Sequence, residues 1–328
     1  MPKGYVSCNV KGGLGNQLFQ IFATIAYGLR TGREPRFHFT EQIGNRSSYW
    51  HSFFKGLKPF QINQDDFIYL FYGGGGGIGK IHQEPSYAYS EIPEYSNVTN
   101  VLLDGYYQCR DYFKGYEKQI LEILGWKKGG YLGRRVGEGF VPPKIGMHFR
   151  IGDYKHIQHC HPLMPTSYYV DALTACLKDH EVELKRWKGA VDVVYLCEDS
   201  DVEEVDIHLR DLRGAFPSLR FRRGLAGDLG YELEGGGEER ACDRDWKEMA
   251  LLSQCDWFVI PNSSFSWWAA TFSSLVEDGG SGETGLIERG GHWVYYPSVW
   301  FGPSLAPTHD VRDMLNQTGW KRVKVLSG

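Results

Sequence analysis

Three short stretches carry the residue types from which an anion site is built. In KGGLGNQLFQ, residues 11–20, a glycine-rich turn meets an Asn-Gln pair at the head of an amphipathic run. Backbone N–H groups at a helix start face outward unpaired, and the helix dipole favours an anion there. Gly13 and Gly15 let a ligand approach the turn, and Asn16 adds an amide that both donates and accepts. A tight turn capped by Asn16 is the plain structural alternative. In MHFRIGDY, residues 147–154, a strand delivers His148 and Arg150 on the same side before Gly152 and Asp153 turn the chain. A guanidinium fork binds two phosphate oxygens at once, which suits a diphosphate; an Arg150–Asp153 salt bridge is the alternative. In IPNSSFSWWAA, residues 260–270, Asn262, Ser263, Ser264 and Ser266 open a helix behind a strand, a second ready anion site. Plain N-capping, with Trp267 and Trp268 in the core, would leave the same pattern.

Two familiar glycine motifs are excluded. The dinucleotide fingerprint needs a third glycine where Leu18 stands, and no acidic residue ends the next strand, Glu41 lying just beyond it. GGGGIGKI matches the spacing of a phosphate-binding loop through Gly74, Gly79 and Lys80. However, Ile81 replaces the magnesium-holding Ser/Thr and no helix pattern follows.

The elements that must position these groups read as α/β. Val6, Cys8 and Val10 alternate with polar neighbours as in a half-buried strand; Leu18, Phe22, Ile25 and Leu29 follow at helical spacing, and Thr31-Gly32 stops the run. PRFHF reads as a second strand, completing a βαβ unit and a parallel sheet. VLLDGYYQCRDYFKGYEKQILEILG reads as a strand end and a helix, and the Gly-, charge- and Pro-rich GWKKGGYLGRRVGEGFVPP as a linker. From Lys144 on, KIGMHFR, AVDVVYLC, DWFVIP and HWVYYP read as strands. Helices are expected at PTSYYVDALTACLKDH (Thr166 as N-cap), DVEEVDIHLRDLRG, RDWKEMALLSQC, SSFSWWAATFSSLVE and finally THDVRDMLNQTG. Two α/β halves joined by a linker place a cleft between domains, 1–142 and 143–328.

At 328 residues the chain has room for two such domains, and its apolar and charged fractions are those of an ordinary folded protein. A net charge of −4 gives no basic footprint for nucleic acid. The aromatic content of 15% suits a sugar cleft, though core packing explains most of it. Seven scattered cysteines without a framework point to reduced thiols. No run approaches the ~20 apolar residues of a membrane span, and MPKGYVSCNV lacks a signal-peptide core, so a cytoplasmic protein is expected.

Taken together, the three stretches resemble the α-1,2-fucosyltransferases of glycosyltransferase family eleven. That family carries G-G-L-G-N-Q-h-F-Q (h apolar), H-x-R-x-G-D-Y and N-S-S-F-S-W-W, present here as Gly12 to Gln20, His148 to Tyr154 and Asn262 to Trp268. Lesser matches follow in order: GYYQCRDYF (Gly105 to Phe113), SYYVDAL (Ser167 to Leu173), LLSQCDWFVI (Leu251 to Ile260) and YPSVWF (Tyr296 to Phe301), so the resemblance spans nearly the whole chain. Departures are Ile151 where a second Arg is usual, Glu248 where an Asp is usual, and glycine runs at 73–77, 235–237 and 279–282 that look like insertions.

The resemblance implies a GT-B architecture of two Rossmann-like domains facing across a cleft, the first on the acceptor side and the second binding GDP-fucose. It implies inverting transfer of L-fucose to a galactoside 2-hydroxyl, with no metal or other cofactor. Arg150 would stabilise the departing diphosphate, helped by Asn16 and the Ser263–Ser266 turn. Asp199 or Glu248 would hold guanine, Phe265 would stack on the base, and Asp153 and His148 are the candidate general bases. Three rival readings are kept, the first a fucosyltransferase of another linkage. Asp-x-Asp at 199–201 and 243–245 would suit a manganese-dependent GT-A transferase, and a non-catalytic GDP-sugar- or glycan-binding relative would keep the fold without turnover.

Overall fold

The structure is a computed structural model, and it describes residues 3–44, 46–73, 79–126, 143–186, 191–229, 241–275 and 293–325. The chain divides into two compact units. The first comprises Met1–Lys128, Arg240–Asp243 and Thr308–Leu315, and the second Gly129–Glu239, Arg244–Pro307 and Asn316–Gly328. The linker sequence and the glycine runs fall almost wholly outside the described residues.

In the first unit, β1 (Tyr5–Cys8) leads into α1 (Leu14–Thr31), and β2 (Glu34–Pro35) returns beside β1. With β3 (Gly79–Gln83) and β4 (Asn100–Asp104) they form a parallel sheet of order β2-β1-β4-β3, with α2 (Gln64–Phe71) before β3 and α3 (Glu117–Ile123) after β4. Val6, Ser7 and Cys8 are all buried, because β1 lies between two strands and is covered on both faces. The half-buried alternation expected there is therefore replaced by a fully covered strand. α1 is likewise buried nearly all round rather than amphipathic, Leu29 being its exposed apolar residue. Its stop is as read: Gly32 takes φ 70°, and its N–H bonds to the Gly28 carbonyl. PRFHF is split rather than continuous. Glu34–Pro35 pairs with β1, whereas Phe37–His38 pairs with Gln61–Ile62. The segment matching a phosphate loop is partly β3, and a strand, not a helix, carries Lys80.

The second unit is a six-stranded sheet, parallel throughout. Its strands are β5 (Lys144–His148), β6 (Val191–Leu196), β7 (Leu219–Arg223), β8 (Trp257–Val259), β9 (Val294–Pro297) and β10 (Trp320–Val323), in the order β7-β6-β5-β8-β9-β10. Chain order reverses between β5 and β8, the doubly wound arrangement in which ligands bind outside the carboxyl ends of the strands at the reversal. Gly146, central on β5, allows the close approach of Leu252, whose Cδ1 would lie 2.9 Å from a Cβ placed there. α4 (Thr166–Asp179) buries Tyr168, Tyr169, Ala172, Leu173 and Cys176, and the Tyr168 hydroxyl donates to the Tyr295 carbonyl at 3.1 Å, tying α4 to β9. Its N-cap is Pro165; Thr166 starts the helix, and its hydroxyl pairs with His208 Nδ1 at 2.7 Å. Helices α5 (Val202–Ala215), α6 (Ala241–Ser253) and α7 (Ser264–Ser274) stand where they were read. The closing helix shortens to Arg312–Leu315, and the chain then adds β10 at the sheet edge.

Candidate functional site

The carboxyl ends of β5 and β8 bring two of the three stretches together at the reversal point. His148 ends β5, and its ring centroid lies 5.2 Å from that of Phe265 in the first turn of α7. The Tyr154 hydroxyl donates to the Asn262 carbonyl at 3.2 Å. Asn262 Nδ2 donates to the carbonyls of Pro162 at 3.1 Å and Trp300 at 2.9 Å, fixing the amide so that its Oδ1 is left without a partner. His148 Nδ1 is also buried without a partner. Buried polar atoms are nearly always satisfied, so these two call for ordered water or another bound atom. Ser263 is the α7 N-cap and makes no side-chain cap bond, so the first-turn N–H groups are not closed off by it. Ser266 does not line this crevice: it is fully buried and donates to the Ser263 carbonyl at 3.3 Å. Trp267 and Trp268 are core residues.

Burial, and behind it the Arg150 charge, push the His148 imidazole down from 6.5 to about 3. The unfolded chain takes up that proton below 6.5, the folded chain only near 3, so stability should fall as pH drops through this window. One such group contributes up to about 1.4 kcal/mol per pH unit. Denaturant melts across the window should show a shallower fall in His148→Gln than in the parent; equal slopes would contradict a buried neutral imidazole.

Arg150 is only 18% exposed and is held by two carboxylates, Asp153 at 2.5 Å and Glu198. Its guanidinium carbon lies 5.0 Å from the Tyr154 ring centroid. Burial works against its charge, but Tyr154, Asp153 and Glu198 outweigh that and hold the guanidinium above its ordinary range. The Arg150–Asp153 bridge is thus present, and Glu198 joins it. The turn after Arg150 is latched as well. Gly152, at φ +32°, donates its N–H to Asp201 Oδ2 at 2.6 Å, and Lys155 reaches both Asp201, at 3.2 Å, and Glu204.

Asp199, expected to receive guanine, is engaged by Arg244 and Arg223, and their hydrogen bonds hold its carboxyl well below the usual range. Glu248 accepts from Arg244 Nε at 2.7 Å; burial raises its pKa against the opposing pull of Arg244. Arg223 and Arg244 are the cations that sequence reasoning missed here, one at the end of β7 and one in α6. The Asp-x-Asp pair at 199–201 is also divided, Asp199 going to arginines and Asp201 inward to Gly152. The side chain of Asp243, in the other such pair, lies outside the described residues. Among the described residues no group of three His, Cys, Asp or Glu side chains is placed to hold a metal ion.

In the first unit the N-terminal turn is held by its own glutamines. Gln20 accepts from the Lys11 N–H at 3.0 Å and donates to the Lys11 and Asn16 carbonyls at 2.8 and 2.9 Å. Gln17 Nε2 donates to the carbonyls of Gly12 and Ser47, both at 2.9 Å. The N-cap is Gly13, not Asn16, which sits one residue after Gly15 inside the helix. Gly12, at φ +82°, is required twice over, since a Cβ there would also lie 2.5 Å from Asn16 Nδ2. Gly13 differs: its φ is an ordinary −77°, and a Cβ there would meet nothing within 4 Å. The fold does not demand that glycine, and the space before it is open.

The doubly wound parallel sheet thus sets an arginine, buried polar atoms without a protein partner and a helix start at its reversal point, where sheets of this kind bind ligands. The family likeness read from the motifs agrees: the chain matches the model described as Glycosyl transferase family 11 over residues 228–276, which include α6, β8 and the Asn262–Trp268 motif. No curated protein matches the chain. Among solved structures it is similar to the Bradyrhizobium α-1,6-fucosyltransferase NodZ soaked with GDP-fucose, at 15% identity over 84% of this chain and 94% of that one, with a TM-score of 0.40. A mutant of Arabidopsis thaliana FUT1 in complex with GDP is 12% identical over 84% and 71% of the two chains, TM-score 0.43. POFUT1 in complex with GDP-fucose is 12% identical over 85% and 96%, TM-score 0.35. All three scores lie below 0.5, so the reading of the site rests on this chain's own residues and the family match. Among the described residues no helix is long and apolar enough to cross a membrane.

Proposed function

We propose that the chain is an inverting glycosyltransferase that moves L-fucose from GDP-fucose to the 2-hydroxyl of a galactoside. The observation that carries this reading is the assembly of His148, Arg150, Asn262 and Phe265 at the reversal point of the second sheet, on motifs that resemble family eleven.

As the bond to fucose breaks, negative charge grows on the GDP β-phosphate. Arg150, oriented by Glu198 and Asp153, meets that charge with its remaining N–H donors, and the α7 first-turn N–H groups share it. Asn16, on the first unit, serves the donor diphosphate as a further amide donor. With a pKa of about 3, His148 stays neutral and is a weak base, so it serves as a hydrogen-bonding partner rather than a proton acceptor. Asp153 is tied to Arg150, and a loose, oxocarbenium-like transition state needs little base help. Guanine recognition falls to Glu248 and the Asp199–Arg244 pair, with Phe265 against the base.

The test is incubation with several GDP-sugars and a panel of galactosides, reading released GDP. GDP-fucose should be consumed, and faster with a galactoside present; no acceptor-dependent release would leave a binding protein. Activity should persist in EDTA, because guanidinium and backbone N–H groups neutralise the leaving diphosphate. Loss of activity in EDTA with recovery in manganese would sink that part of the reading.

A further inference from the structure

The GYYQ segment after β4 has no role in the chemistry described so far, yet its backbone is under constraint. Tyr107 takes φ +52°, the positive value of a non-glycine residue among those described. Such conformations persist only where the surroundings over-determine them, and they gather at functional sites. The surroundings here are Glu84, whose carboxylate accepts the N–H of Tyr106 at 2.6 Å and of Tyr107 at 3.0 Å. Gly105 makes room for it, since a Cβ there would lie 2.3 Å from Glu84 Cβ. The Tyr107 hydroxyl donates to the His82 carbonyl at 3.1 Å, anchoring the ring below. The twisted peptide delivers the next side chain, Gln108, which is buried and donates from Nε2 to Asn16 Oδ1 at 2.7 Å across 92 residues of sequence.

We propose that Gln108 is a positioning residue for Asn16: its donated hydrogen bond fixes which end of the Asn16 carboxamide accepts, and so where the donating NH2 points. The inference rests on the reading that Asn16 serves the donor diphosphate. An asparagine amide has two nearly isosteric orientations, and only a directional partner distinguishes them. Glu84 acts one step further back, holding the Tyr107 peptide that aims Gln108. Asn16 itself lies inside the helix rather than capping it, with its Nδ2 against Gly12.

Two variants test it: Gln108→Leu removes the donor, and Gln108→Glu keeps the size but presents an acceptor. Kinetics are read alongside Asn16→Ala and the Gln108→Leu/Asn16→Ala double variant. A misaimed group costs on the order of 10²-fold in rate, and both single variants at 108 should lose kcat on that scale while GDP affinity holds. The double variant should be no slower than Asn16→Ala alone. An unchanged kcat, or losses that multiply in the double variant, would overturn the proposal. Independently of turnover, the 15N side-chain amide signals of Asn16 should shift in both position-108 variants. Signals unmoved in both would overturn it too. If the parent protein consumed no GDP-fucose, the functional reading would fail while the amide signals still decided the positioning.

Discussion

Replacing Arg150 with Lys is expected to lower kcat almost as far as replacing it with Ala, by ~10²–10³-fold, the usual cost of one preorganised donor to a developing anion. A lysine keeps the charge but not the fork. Arg150 bonds Asp153 and Glu198 through separate nitrogens and stacks beside Tyr154, which leaves its other N–H groups aimed in a fixed plane. An ammonium on a flexible stem would settle on one carboxylate and present no defined donor. The stability cost should be modest in either variant, because both carboxylates are about half exposed and water can replace the lost partner. Steady-state kinetics and melting temperature on the two variants check this. A Lys protein with most of the parent's kcat would make Arg150 a bracket for its neighbouring carboxylates and nothing more.

Asn16→Ala is expected to lower kcat much more than it weakens GDP binding, since its amide is assigned to charge that grows only in the transition state. A cap residue would behave differently, losing roughly 0.5–2 kcal/mol of stability with turnover per folded molecule intact. Gly13, not Asn16, is the N-cap, and Asn16 Oδ1 accepts from Gln108. Melting temperature, GDP affinity and kcat on this one variant suffice. Weaker folding at full specific activity would reduce the opening stretch to a turn.

Strands covered on both faces were legible in the sequence because their apolar runs are dense, as in β5, β6 and β8. The two strands at the edges of the second sheet were not. β7 reads LRFRR and β10 reads WKRV, with cations on the outward positions that blunt an edge against pairing but dilute the apolar signal. Glu34 and Arg36 donate to the Gly4 and Val6 carbonyls of β1, and Phe37 then leaves to pair with Gln61, which splits what reads as one strand. At the site, the three motif stretches and the Arg150–Asp153 pair could be seen, but the electrostatic partners distant in sequence could not. Glu198 meets Arg150 across 48 residues, and Arg244 meets Asp199 across 45. The first pairing follows from the strand order, which places β6 beside β5, and the second from the packing of α6; local spacing carries no record of either.

The most direct measurement of the central claim is the linkage of the product. After incubation of the protein with GDP-fucose and a galactoside, the fucosylated product is isolated and its glycosidic bond assigned by NMR. Fucose is expected on the galactose 2-hydroxyl, with the anomeric configuration inverted from that of the donor. Fucose on another hydroxyl, retention of the donor configuration, or GDP-fucose left intact would contradict it.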